Sequence, residues 1–287
     1  VTMKLASACY QCLRRLIYQA AELATNDISL KQRATKEAIK ILDDEFSYSQ
    51  LSIVIATKIH KVIRDVTHNP DPYRTMKERE MALARELCPK LSLRVKGSNL
   101  YKDEFQGCLQ LAAAANAIDF FREPGSIEKD IREPVNFVID DAEQFEAKLE
   151  DTSKVLYLAD NAGELYFDLP LVKWMKQFAE VIYVVKPSPV QNDLTLKDVR
   201  KSGLACQFGK VISTGIASPG IVFPLASARF EREFKSADLI FAKGMGYYEA
   251  LSEFPPEGKF FYCLKAKCQP VADSLGVSMN SYVAMLQ

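Results

Sequence analysis

Between residues 135 and 264 the chain keeps returning to short runs that are almost wholly apolar: 135–139 (VNFVI), 154–158 (KVLYL), 181–185 (VIYVV), 211–213 (VIS), 238–242 (DLIFA) and 260–264 (FFYCL). A strand with one face in water alternates apolar and polar residues, whereas a run without alternation is covered on both faces. Helical periodicity separates several of these runs, as at 169–178. Buried strands alternating with helices are the pattern of a mostly parallel sheet held between helical layers. The fold class predicted is α/β, a three-layer α/β/α arrangement on a mostly parallel sheet, with a helical region before it.

Residues 7 to about 122 have that other, helical texture. Leu13, Leu16, Ile17, Ala20 and Leu23 recur at helical spacing, as do Ala34, Ala38, Ile41 and Leu42, and then Leu51, Ile55, Ile59, Val62, Ile63 and Val66. Pro70 and Pro72 interrupt the pattern, because proline cannot continue a helix and restrains the residue before it. Helical character resumes near 76–87 and again from about 102 to 121. The charge-rich stretch 77–86 reads as a solvated helix face. The texture changes after Glu123-Pro124-Gly125, so a helical domain is expected over 1–125 and an α/β domain carrying the site over 126–287.

Charge and histidine content narrow the chemistry. Lys and Arg number 37 and Asp and Glu 37, a formal net charge of zero. Neither a dedicated nucleic-acid binder nor a polybasic membrane-surface protein has that balance. No apolar run approaches the roughly 18–20 residues of a membrane span, and the first residues lack the apolar core of a signal peptide. Seven cysteines, an odd number in a long chain, fit a reducing compartment. A cytoplasmic location is expected, with no nucleic-acid or membrane partner. The only histidines are His60 and His68, which excludes a histidine-rich metal site and leaves carboxylates, amides and lysines to carry any chemistry.

Ligands of open parallel sheets bind beyond the carboxyl ends of the strands. Here those ends run into Asp160-Asn161-Ala162-Gly163-Glu164, Lys186-Pro187 with Gln191-Asn192-Asp193, Thr214-Gly215 with Ser218-Pro219-Gly220, Lys243-Gly244-Met245-Gly246, and Lys265-Ala266-Lys267. Asp160 and Asp193, with a neutral oxygen from Asn161 or Asn192, are hard donors suited to Mg2+ or Mn2+. Lysines and turn N–H groups neutralise phosphoryl oxygens. No GxxxxGK[ST] loop is present, and no GxGxxG follows the first strand. Asp160-Asn161-Ala162 lacks the second aspartate of aspartyl-phosphate chemistry. A turn with a helix cap accounts for any one such strand end; five together point to a binding or catalytic edge.

The segment Ala159-Asp160-Asn161-Ala162-Gly163-Glu164 resembles the signature of the damage-control phosphatase family, long called domain of unknown function 89. NPDPYRTMK at 69–77, AAAANAIDF at 112–120, PVQNDLT at 189–195, STGIASPG at 213–220, AKGMGYYE at 242–249 and LKAKC at 264–268 follow in the same order, and the CxxC start is similar to the microbial stand-alone branch. The resemblance implies a metal-dependent phosphatase of small phosphometabolites, sugar phosphates or damaged cofactor-related esters, working through a metal-activated water. It implies Asp160, Asn161 and Asp193 as ligands of a divalent ion (Mn2+, Mg2+, Co2+ or Ni2+) and Lys243 as a phosphate contact. Asn116, Asp119, Glu164, Thr214, Gly215, Gly220 and Glu249 are expected around the substrate. Two positions depart from the family pattern: Ala115 stands for a usual glycine, and Tyr247 for a usual asparagine, so no particular substrate is carried over.

Two rival functions use the same residues: an S-adenosylmethionine-dependent carboxyl methyltransferase, proposed for a related branch, and a protein that binds a phosphometabolite without turning it over. Cys9 and Cys12 form a CxxC pair, and Cys263 and Cys268 stand near the other end of the chain. Thiolates so spaced suit a structural Zn2+, a redox pair or small core residues; the family resemblance groups Cys9, Cys12 and Cys268. Cys88, Cys108, Cys206, His60 and Trp174 are expected in the core.

Overall fold

The strand runs fold into a sheet with the spatial order β1-β7-β6-β5-β2-β3-β4 in a computed structural model that describes residues 3–97, 104–117 and 135–287. The strands are β1 (Phe137–Asp140), β2 (Lys154–Leu158), β3 (Glu180–Val185), β4 (Lys210–Ser213), β5 (Leu239–Lys243), β6 (Phe260–Lys265) and β7 (Tyr282–Leu286). From β6 to β4 every neighbour is parallel. β7 runs antiparallel to β6 and parallel to β1, so these two reverse the sheet at one edge. The sheet is mostly parallel, as the apolar runs predict. β7 is an addition to the predicted strands, and β1 is a half-exposed edge rather than a fully covered strand.

Alternation along each strand divides the core. Val155, Tyr157, Tyr183, Phe241 and Phe261 face one helical layer, and Leu156, Leu158, Ile182, Ile240 and Tyr262 face the other. The first layer is built on α5 (Glu104–Ala114), α6 (Ala142–Leu149) and α7 (Leu165–Met175), after which come α8 (Leu196–Ser202) and the short α9 (Ala205–Phe208). The second is built on α10 (Ala228–Ser236), α11 (Met245–Leu251) and α12 (Gln269–Leu275). Rings fill the first layer: Phe145 lies 4.4 Å from Phe261, and Tyr157 stacks on Phe241 at 4.7 Å.

The N-terminal helices α1 (Ser7–Ala24), α2 (Ile28–Glu45) and α3 (Ser52–Thr67) close around a core of their own, with Ile17, Ala34, Leu42 and Ile59 at its centre. His60 belongs to it, edge-on to Tyr73 at 5.8 Å. Burial, helped by Arg64, lowers its pKa to about 3, so it is a neutral core residue. α4 (Arg74–Gly97) leads away from that bundle. The next helix, α5, does not pack with the bundle: Phe105, Leu109, Ala112 and Ala113 are buried in the sheet's first layer. Cys88 and Cys108 are buried as expected, but Cys206 is exposed, on the short helix before β4. No helix among the described residues is long and apolar enough to cross a membrane.

Leu109→Ala tests where α5 belongs. Removing a fully buried side chain from the sheet's core is expected to lower the unfolding free energy by about 2–5 kcal/mol in urea denaturation.

Candidate functional site

The parallel strands reverse direction of travel at β2. The chain moves outward through β3 and β4, then returns to lay β5 on the other side of β2. The crevice between β2 and β5 is thus the topological switch point, where ligands of open α/β sheets bind. Asp160 follows β2 and Gly244 follows β5, and the two touch. Gly244 has φ +80°, and a Cβ there would lie 2.0 Å from Asp160 Oδ2, so only glycine lets the carboxylate occupy the crevice.

The loops after β2 and β3 are paired. Asn161 and Asp193 form an antiparallel bridge, Ala162 N–H donates to the Asn192 carbonyl at 2.8 Å, and Leu194 N–H donates to the Asp160 carbonyl at 2.8 Å. This short ladder sets Asp160, Asn161 and Asp193 side by side. Asn161 Nδ2 donates to Glu164 Oε1 at 2.6 Å and to Asp160 Oδ2 at 3.2 Å, which leaves its carbonyl oxygen as a donor for a cation. Glu164 is fully buried and also accepts from Asn116 Nδ2 at 2.9 Å. Asp193 is 2% exposed, and its Oδ2 accepts no hydrogen bond.

Two lysines end strands on opposite faces. Lys243 continues the face of Phe241 and enters the first layer, where its ammonium donates to the Ala112 carbonyl at 2.8 Å and Asp168 Oδ1 at 2.7 Å and pairs closely with Glu164. Tyr157 and Tyr183 donate to the same Asp168 at 2.8 and 2.7 Å. All three ammonium protons of Lys243 are engaged, and none remains for a phosphoryl oxygen. Lys186 continues the face of Val184 into the second layer, donating to the Gly220 carbonyl at 2.7 Å and Tyr247 Oη at 2.9 Å, with Asp193 Oδ2 at 3.6 Å. Asp168 and Lys186 lie outside the predicted set. An aspartate inside the apolar helix LYFDLPL was the sequence signal for the first; a lysine directly ending the VIYVV strand was the signal for the second.

Burial raises Asp160 well above the ordinary carboxylate range, reinforced by Glu164 and Asp193, while Lys267 and Lys186 pull it down. Burial lifts Asp193 to about 6 against the attraction of Lys186. For Lys243 burial opposes the charge, but Asp168 and Glu164 outweigh it and hold the ammonium above its usual range.

The other predicted residues scatter. Thr214 is buried, its hydroxyl on the Ile216 carbonyl and its own carbonyl on Ser227 N–H. Gly215 packs against Ser227, and Gly220 meets the site through its carbonyl on Lys186. Glu249 sits two residues from Tyr247 on α11, about 200° around the helix. It accepts from Ser52 and lies within electrostatic reach of Cys9 and Cys268 rather than against Asp160 or Asp193. Cys9, Cys12 and Cys268 share that neighbourhood, and burial pushes Cys268 up to about 12. Among the described residues no three His, Cys, Asp or Glu side chains are grouped as a metal-ligand set; the Asp160–Asn161–Asp193 group counts an amide. Asp119 lies outside the described residues.

The model of the damage-control phosphatase ARMT1-like domain matches residues 5–283. A damage-control phosphatase of Pyrococcus horikoshii is 31% identical over 289 residues, covering 99% of this chain and 98% of that protein. One of Archaeoglobus fulgidus is 31% identical over 290 residues, covering 98% and 99%. An uncharacterized protein of Methanocaldococcus jannaschii is 32% identical, covering 99% and 96%. The crystal structure of a DUF89 family protein from P. horikoshii superposes with a TM-score of 0.87 at 31% identity, covering 99% of both chains.

Lys243→Met leaves Glu164 and Asp168 buried without their cation and is expected to cost about 3–5 kcal/mol in chemical denaturation. Lys210→Met, which removes surface pairs to Glu180 and Glu233, is expected to cost under about 1 kcal/mol. Glu249 gives a pH signature. Burial raises its pKa to about 7, so the folded state binds a proton that the unfolded state has released, and stability falls as pH rises from about 4.5 through 7. Glu249→Gln is expected to be more stable than wild type by roughly 3 kcal/mol at pH 8, with the difference vanishing near pH 4 in paired melts.

Proposed function

The chain belongs to the damage-control phosphatase family, and on that premise we propose that it hydrolyses small phosphate esters of damaged or unwanted metabolites in the crevice between β2 and β5, with one divalent cation held by Asp160, Asn161 and Asp193. The observation that carries the cation is charge. Four carboxylates (half-buried Asp160 and buried Glu164, Asp168 and Asp193) face two buried ammonium groups, Lys186 and Lys243. The balance with all six ionised is 2 − 4 = −2, which one divalent cation neutralises. Protons otherwise meet the deficit, as the raised Asp160 and Asp193 indicate. Asp193 Oδ2 supports the same reading: it is buried and accepts no hydrogen bond, with the Lys186 ammonium standing off at 3.6 Å.

Two carboxylates and an amide oxygen suit Mn2+ or Mg2+, and also Co2+ or Ni2+. Such an ion supplies polarisation of the phosphoryl group and a lowered pKa for water. The chain's own residues do the rest. Glu164 orients Asn161 through its amide nitrogen, and Lys243 keeps Glu164 and Asp168 in place. Lys186 holds the charge of Asp193 from behind. Half-buried Lys267, whose field already reaches Asp160, is the rim cation for the ester's phosphate oxygens, the role the resemblance gave to Lys243. Water forms the new P–O bond opposite the departing ester oxygen, releasing phosphate and an alcohol.

Asp193→Asn and Asp160→Asn are expected to lose at least about a hundredfold in kcat on a phosphate-ester panel assayed with Mn2+, Mg2+, Co2+ and Ni2+. Chelation is expected to abolish turnover in wild type, and added Mn2+ to restore it. Hydrolysis by both variants at wild-type rates would sink the assignment.

A further inference from the structure

The stretch 77–86 is solvated, as expected, at Glu78, Arg79, Arg85 and Glu86, but Lys77 and Glu80 turn inward. Lys77 is 2% and Glu80 is 6% exposed, and both reach across to the segment that carries Asp193. Lys77 pairs with Asp71 at 3.2 Å, in the turn before its own helix, and with Asp198 at 3.3 Å on α8. Asp198 in turn accepts from the hydroxyl of Thr195 at 2.6 Å and from its N–H at 3.1 Å, closing a capping box two residues after Asp193. Glu80 accepts from Asn192 Nδ2 at 3.1 Å. Arg64 of α3 donates to the Pro189 carbonyl. Three ties from α3 and α4 therefore meet the 189–198 segment at its start, its middle and its end.

The middle tie matters most. Asn192 is held by its side chain to Glu80 and by its carbonyl to Ala162 N–H, so one residue joins α4 to both loops of the site. Gln191 beside it has φ +45°, a left-handed conformation that a non-glycine residue keeps only when its surroundings fix it. We propose that Arg64, Lys77 and Glu80 are positioning residues that clamp the Asp193 loop and thereby set the affinity of the Asp160–Asn161–Asp193 group for its divalent cation. The inference rests on the metal reading above. Partners one step removed from a metal ligand alter affinity by about 10–100-fold when lost.

The test is Mn2+ titration calorimetry on the full chain, with melting temperature and steady-state kinetics alongside. Lys77→Met and Glu80→Ala are expected to bind Mn2+ at least about tenfold more weakly, with kcat recovering at saturating Mn2+. Glu80→Gln, which keeps an oxygen for Asn192, is expected to stay within about twofold of wild type. Leu42→Ala, in the separate α1–α3 core, is expected to lower the melting temperature while leaving Mn2+ affinity unchanged. If Lys77→Met does not fold, Arg64→Met removes the Pro189 tie without stranding a buried carboxylate and carries the same expectation. Wild-type affinity in the clamp variants, or equal weakening in Leu42→Ala, overturns the clamp alone. A wild-type protein that binds no Mn2+ overturns the metal reading and the clamp with it.

Discussion

The architecture of the strand edge depends on one buried ammonium. Lys243 lies with no exposed surface among the Ala112 carbonyl, Asp168 and Glu164, three acceptors from three separate elements. Burying one charge is costly, and burying it with two carboxylates is tolerable only when every remaining lone pair is met. Tyr157 and Tyr183 meet those of Asp168, and Asn116 and Asn161 meet those of Glu164. The sheet, α5, α7 and the turn after β2 are thereby joined in one hydrogen-bonded unit. Asn161, at its outer end, is held from behind before any ligand arrives. Preorganisation of this kind is what lets a site act on developing charge without rearranging.

The same network explains why the crevice carries surplus negative charge. If Lys243 faced the ligand, Glu164 and Asp168 would have to hold protons, and Asn161 would lose its charged anchor. With Lys243 committed inward, compensation for Asp160 and Asp193 comes from Lys186, from the fields of Lys267 and Lys77, and from whatever enters the crevice. Lys186 alone does not suffice, since its protons are shared with Gly220 and Tyr247 and its distance to Asp193 is 3.6 Å. Tyr247, where the family pattern has an asparagine, gives Lys186 a hydroxyl partner and a ring face 4.2 Å from its nitrogen. The substitution thus acts on the ammonium behind Asp193.

The sheet was legible because burial on both faces leaves an unmistakable run of apolar residues, and the ligand loops because they follow those runs directly. What was not legible is direction. Lys186 and Lys243 read alike in sequence, each a lysine at the end of a strand, yet strand parity sends them to opposite layers, where each is bonded to protein partners. β7 was missed although 282–286 (YVAML) is itself an unbroken apolar run like those of the central strands. Lys77 and Glu80 were misread because a charged residue in a charge-rich helix gives no local hint of a partner more than a hundred residues away, Asp198 for the one and Asn192 for the other. Asp168 had a signal, an acid among apolar neighbours, that periodicity alone treats as noise.

Scarcity of histidine acquires a physical meaning in this setting. A catalytic group is most useful with a pKa near the working pH, and histidine supplies that without help. Here His60 is sealed in the helical core and His68 is an exposed left-handed cap at the end of α3. The chain reaches the neutral range another way, by burying carboxylates until they approach it: Asp193 stands at about 6, and Asp160 is lifted in the same direction. A carboxylate so raised is poised between proton and cation. A histidine in the same place would be neutral or cationic and would leave the crevice without the negative charge that hard cations require. On the proposed reading, aspartate in place of histidine suits the crevice to a hard cation, and the buried Lys243 network fixes the residues behind it.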